Sequence, residues 1–220
     1  LPLSSRTMAA RFRDREAAGR AISTIASSQL EPAAFDLHVV FGAAADNSLA
    51  PFSLFLRFTS TPATIDAQLE HARRGMTAER IDVVRDGAES ELWREHASRV
   101  WAAPGAVVKA SWLPAALPSV LSLLEEITRS SRAGVEFVGR AGVGAGFIRI
   151  DADTATEAAA VERLRAQRDV IGNVVLLRGD LALREKVDVW GDPGDVGNLL
   201  HAVKRAFDPT GLLNAGRGPV

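Results

Sequence analysis

The chain has 220 residues, of which 47% are hydrophobic and 24% charged, so it can bury a sizeable core and still present a wet surface. Its net charge of -1 offers no electrostatic pull toward a phosphate backbone, which demotes nucleic-acid binding. The absence of cysteine excludes disulfides, thiolate nucleophiles and cysteine metal sites, and is compatible with a reducing compartment.

Taken in order, the first half reads as one unit. Thr7 to Phe12 alternates Met8, Ala10 and Phe12 on one side, the mark of a half-buried strand. Arg15 to Ser27 carries Ala18, Ile22 and Ile25 at helical spacing. Phe35 to Phe41 is a strand, Gly42 to Pro51 a loop of small and Asn/Asp residues, and Ser53 to Thr59 a second strand with Leu54, Leu56 and Phe58 on one face. Thr61-Pro62 starts a helix with proline at its first position, and Ile65, Leu69 and Ala72 continue its stripe to Gly75. Arg80 to Val84 closes the unit as a short strand.

A linker helix is expected over Gly87 to Val100, ended by Pro104-Gly105, and then the pattern restarts. Ala106 to Ser111 is a strand; Ala115 to Ser130 is a helix with Leu117, Val120, Leu121, Leu124 and Ile127 inward. Val135 to Gly139 and Gly146 to Ile150 form a hairpin, Asp153 caps a helix from Thr154 to Arg168 with Ala158, Val161 and Leu164 inward, and Asn173 to Arg178 is the closing strand. Strand-helix-strand-strand-helix-strand, twice, predicts an α+β fold of duplicated ferredoxin-like (split βαβ) units with antiparallel sheets and a C-terminal helix. The corresponding division is residues 1–86, a linker over 87–105, a second unit over 106–180, and a helix and tail over 181–220.

The last stretch is the most distinctive. A helix with Leu199, Leu200, Val203 and Phe207 at i, i+3/i+4 spacing is ended by Asp208-Pro209, because proline disfavours helical geometry in the residue before it. Thr210-Gly211 supplies a turn, Leu212-Leu213 is expected to tuck the tail onto the body, and Asn214 and Arg217 are left displayed beside Gly216 and Gly218. The string Phe207-Asp208-Pro209-Thr210-Gly211-Leu212-Leu213-Asn214-Ala215-Gly216-Arg217-Gly218 resembles the C-terminal signature of FAD-linked oxidases of the vanillyl-alcohol oxidase superfamily. With Val187-Asp188-Val189-Trp190-Gly191 upstream, it most resembles the FAD-binding subunits of the bacterial glycolate oxidase type. Ala215 stands where that family usually has proline, so the tail loses one φ constraint here.

The resemblance implies a cap region over FAD, with the tail returning toward the cofactor and FAD held mainly by an N-terminal domain absent from these 220 residues. It implies Asn214, Arg217 and Trp190 as cofactor-contacting residues, hydride transfer from a small 2-hydroxy acid to flavin, and no assigned catalytic base. The implied partners are the N-terminal FAD-binding domain and other subunits of a glycolate-oxidase-type complex, in a cytoplasmic protein peripheral to the inner membrane through those subunits. An uncovered cap face also leads us to expect homo-oligomerisation or association. Starting at Leu1-Pro2-Leu3, the chain reads as beginning partway through a longer protein.

Other features weigh less. Gly142-Val143-Gly144-Ala145-Gly146 resembles a dinucleotide loop but lies between two strands, where that motif needs a helix after it, so a hairpin turn is expected. No Gly-x-Ser-x-Gly elbow is present to support a hydrolase. The four histidines, His38, His71, His96 and His201, lack paired ligand spacing and read as partly exposed polar residues, so no metal is expected. Glu125-Glu126 reads as a solvated helix face, and Trp93 as a packing anchor on the linker helix. Arg140 and Arg149 are candidates for a substrate carboxylate, with exposed strand arginine as the plainer reading. The rival to the oxidase reading is a non-catalytic interaction module built on a double ferredoxin-like platform.

Overall fold

The computed structural model describes residues 4–42, 51–215 and 218. Its centre is one eight-stranded antiparallel sheet in the order β4-β1-β3-β2-β6-β7-β5-β8. The strands are β1 (Ser4–Phe12), β2 (Ala34–Phe41), β3 (Phe52–Ser60), β4 (Arg80–Arg85), β5 (Ala106–Ser111), β6 (Gly134–Arg140), β7 (Ala145–Asp151) and β8 (Asn173–Arg178). Each half has the 4-1-3-2 order of a ferredoxin-like unit, and the halves meet through their second strands, β2 and β6, in a register from Asp36↔Arg140 to Phe41↔Val135. The duplicated α+β fold expected from the order of elements is therefore present, and the two sheets are fused into one.

Four helices cover one face: α1 (Arg15–Ala26), α2 (Pro62–Arg74), α4 (Leu117–Ser131) and α5 (Thr154–Ala166). Their entries are set by side-chain caps. Asp14 Oδ1 accepts from the Ala17 amide at 2.6 Å, and Asp153 Oδ1 accepts from both Ala155 and Thr156 at 3.0 Å. Thr61 caps α2 with Pro62 in its first turn. Met8, Ala10, Leu37, Leu54, Leu56, Phe58, Phe137 and Ile148 are wholly buried beneath these helices, as period-2 alternation requires of strands with one covered face. A short 3-10 turn, Pro114–Ala116, precedes α4, so the helix begins two residues later than its apolar spacing suggested.

The expected linker helix does more than connect. Helix α3 (Asp86–Ala102) follows β4 without a loop, the reversal being made by Asp86 at φ +56°, and crosses the opposite face of the sheet from the first unit to the second. Trp93 Nε1 donates to Thr7 Oγ1 at 2.8 Å near its middle, while Val100 packs with Val107 and Val138 near its end. Arg178 on β8 closes it, its guanidinium donating to the carbonyls of Val100, Trp101, Ala103 and Gly105.

After β8, Asp180 caps a short helix, α6 (Leu181–Lys186), that sequence reading passed over; Leu183 is its buried anchor. Helix α7 (Gly197–Phe207) ends the fold, and none of its residues is buried. No described helix is long and apolar enough to cross a membrane.

Candidate functional site

Beneath α3, the seam between the halves carries a buried polar chain. Glu136 on β6 accepts from His38 Nε2 on β2 at 2.8 Å and from Arg149 Nη2 and Nε on β7 at 3.0 and 3.2 Å. Asp36, two residues before His38 and so on the same face, meets His96 Nε2 of α3 at 3.2 Å, with Arg140 3.8 Å away. Burial pushes the Glu136 carboxyl up, but the His38 and Arg149 hydrogen bonds outweigh it and hold the group at about 2. His38 is lowered from its ordinary value by burial, against the raising effect of Glu136 and with Arg99 and His96 adding to the lowering.

These positions correct two expectations. His38 and His96 are buried, at 8% and 3% exposure, because α3 covers the sheet face on which they lie. Arg149 is likewise buried and bonded to Glu136, Asp151 and the Pro104 carbonyl, whereas Arg140 is an exposed strand arginine, as its plainer reading had it. Sequence reasoning missed Glu136 and Asp36, although one signal was legible. A hairpin that pairs Arg140 with Ala145 sets Glu136 directly opposite Arg149.

The C-terminal hook is built around Asp208. Its carboxylate accepts from the Leu212 and Leu213 amides, both at 2.9 Å, and from Lys204 Nζ at 2.7 Å, while Lys204 also reaches the Leu213 carbonyl. The Lys204 bond, with those amides, holds the Asp208 carboxyl below the usual range. Leu212 and Leu213 do not tuck onto the body; they are 80% and 61% exposed, because the hook fixes their backbone and leaves the side chains outward. Asn214 follows, exposed and in the left-handed region at φ +50°, a conformation asparagine tolerates well. Arg217, the other tail residue expected at the cofactor, lies outside the described residues.

Trp190 is half-exposed and lines a cleft of about 360 Å³ with Arg165, Arg168, Asn173 and Asp188; Asn214 is not among its walls. Arg165 is occupied there, donating to the carbonyls of Val174, Asp188 and Val189, and so pins the Trp190 segment along the β8 edge. The Gly142–Gly146 stretch is the β6–β7 turn. Gly144 sits at φ +76°, where a Cβ would lie 2.0 Å from the Trp112 carbonyl oxygen. It makes no phosphate cradle. Asn214 is exposed and lies outside the Trp190 cleft, so the two do not form a joint cofactor pocket in this chain. Among the described residues no cluster of His, Asp and Glu could hold a metal ion.

Fold and site together define a duplicated ferredoxin-like platform with one strapped face and an uncovered terminal helix. Residues 193–217 match the family model of the C-terminal domain of FAD linked oxidases. In fold, the chain is similar to the 4-ethylphenol oxidase of Gulosibacter chungangensis, solved as an isoeugenol complex, with a TM-score of 0.63 and 15% identity. That match covers 98% of this chain and 54% of the oxidase, so the chain spans about half the length of the structure it resembles. No curated protein matches the sequence.

Proposed function

We propose that the chain is the C-terminal cap region of an FAD-dependent oxidoreductase whose flavin is held by an N-terminal FAD-binding domain. The observation that carries this reading is the coincidence of the matched segment with an apolar stripe that no described element covers. Leu199, Val203 and Phe207 are 63%, 47% and 82% exposed along one side of α7, and Leu212 and Leu213 extend the patch. Leucines and a phenylalanine turned to water mark an interaction surface, and the family match supports an FAD-binding domain as what covers it. The finer reading, a subunit that oxidises a small 2-hydroxy acid of the glycolate type by hydride transfer to flavin, is supported by the Val187–Gly191 and Phe207–Gly218 motifs and by a seam rich in arginine and histidine. Flavin chemistry belongs to the cofactor; this region shapes and charges one wall of the site.

The test is to express the full gene product and measure bound flavin, then dye-coupled oxidation of glycolate, D-lactate and 4-ethylphenol. Flavin retention with hydroxy-acid turnover supports the full reading. Flavin with turnover of the phenol alone keeps the oxidase and overturns the substrate class. A full product without flavin returns the chain to the interaction-module reading.

A further inference from the structure

Helix α3 is held to the sheet in a way its neighbours are not. Of its 17 residues only Glu89, His96 and Val100 are buried, and two of those three are polar, whereas α1, α2 and α4 bury only apolar residues. Its apolar anchorage is concentrated at the C-terminal end, where Val100 packs with Val107 and Val138 and Trp101 lies against Phe147. The remaining attachment is largely polar. Glu89 accepts from Thr7 Oγ1 at 2.7 Å and from Arg57 Nε at 3.1 Å, Trp93 donates to Thr7, and His96 meets Asp36 at 3.2 Å. No side chain caps the start of the helix. An element held by a few polar bonds over little buried apolar surface opens well before the molecule unfolds.

The docking is also incompletely satisfied. Asp36 Oδ1, His96 Nδ1 and Arg99 Nε are buried against this interface without a described hydrogen-bond partner, and Arg140 Nε stands 3.8 Å from Asp36, beyond hydrogen-bond reach. Each of these atoms gives up water when α3 lies down and receives no full replacement.

His38 couples this docking to pH. Glu136 of β6 bonds its Nε2 and favours a proton, and Arg149 of β7 is engaged with that carboxylate. Asp36 of β2 is engaged with His96, and Arg57 of β3 with Glu89, while the register sets neutral Ser53 directly opposite His38 and Arg11 of β1 one strand further on. What opposes a proton on His38 is burial, with Arg99 and His96, and both of these residues belong to α3. Lifting α3 removes all three effects and leaves Glu136 in place. The open form therefore holds the His38 proton more tightly than the closed form, so docking is at full strength above the ordinary histidine value of 6.5 and weakens as pH falls below it.

We propose that α3 is an acid-released strap: protonation of His38 detaches the helix while the eight strands stay formed, uncovering the polar face of the sheet between Thr7 and Arg149. This does not rest on the oxidase reading.

Hydrogen exchange of the complete protein at pH 7.5 and pH 5.0 tests it, with rates expressed as protection factors so that the intrinsic pH dependence of exchange is removed. Amides from Trp93 to Val100 are expected to be at least about tenfold less protected than those of β2 and β6 at both pH values, and to lose at least about fivefold in protection on acidification. His38→Gln, which keeps a donor for Glu136 and does not titrate, is expected to hold α3 at the same protection at both pH values. Arg99→Gln, which takes the cation away from His38, is expected to shrink the loss. Strap amides as well protected as the strands overturn the proposal, as does a wild-type strap indifferent to pH or a loss that persists in full in His38→Gln. If His38→Gln does not fold, an undiminished loss in Arg99→Gln overturns it equally.

Discussion

Glu136 and His38 tie the stability of the seam to pH, and the sign is the same for both. Glu136 titrates at about 2 when folded and near 4.5 in the unfolded chain, so its contribution is complete above pH 4.5 and is lost as pH falls toward 2. His38 is lowered from 6.5, so the unfolded chain takes up its proton first, and stability declines as pH falls below 6.5. Chemical denaturation between pH 8 and pH 3 is therefore expected to show a stability that falls in two stages, each with a slope of at most about 1.4 kcal/mol per pH unit. Glu136→Gln removes the lower stage, and a flat profile in the wild type contradicts the assignment. At the tail, Asp208→Ala strips the acceptor from the Leu212 and Leu213 amides. Hydrogen exchange at those two amides is expected to accelerate at least tenfold while the β-sheet amides keep their protection, since the hook contributes nothing to the core.

Among the elements, α3 and α4 carry the clearest tests. Arg178 ends α3 by donating to the Val100 and Trp101 carbonyls of its last turn and to those of Ala103 and Gly105 just beyond it, and its guanidinium also lies 5.8 Å from the centre of the Trp101 ring. Arg178→Ala is expected to cost about 2 kcal/mol, with a melting temperature lower by about 4–8 °C, and Arg178→Lys to recover only part of it because an ammonium cannot fork across these carbonyls. Helix α4 ends on Arg132 at φ +60°, a conformation that glycine adopts without steric cost. Arg132→Gly is expected to stabilise the protein by about 0.5–1 kcal/mol in thermal melts, and a destabilisation would show that the arginine side chain has a packing role. Element positions were largely legible because most strands alternate apolar residues and most helices carry an apolar stripe. Helix α6 was not, since six residues are too few to display a helical period, and the lone buried anchor Leu183 is defined only by what it packs against.

Over the whole molecule, the uncovered side of α7 sets the behaviour of the chain in isolation. Leu199, Val203, Phe207, Leu212 and Leu213 form an apolar patch larger than single scattered leucines, and such patches drive association. The 220-residue chain is expected to self-associate at micromolar concentration in sedimentation velocity, and Leu199→Glu with Phe207→Glu to render it monomeric. A wild-type monomer up to millimolar concentration contradicts this. In the complete protein the same double variant is expected to loosen flavin retention under the proposed function, in which the stripe meets the neighbouring FAD-binding domain.

Local pattern was enough to decide several things. Period-2 alternation in Met8, Ala10 and Phe12, helical spacing in Ile65, Leu69 and Ala72, and the caps at Thr61 and Asp153 specify elements whose order admits the duplicated ferredoxin-like arrangement, because each of those signals acts between residues close in the chain. The fusion of two sheets through β2 and β6, the passage of α3 over the bare face and the burial of His38, Asp36, Glu136 and Arg149 were decided only by tertiary structure. Polar residues at alternate strand positions look solvent-facing until something covers them, and what covers these is a helix from a connection that sequence alone presented as a linker. The same reason operates in reverse at α7, where a stripe that reads as core by spacing is left open because no described element packs over it.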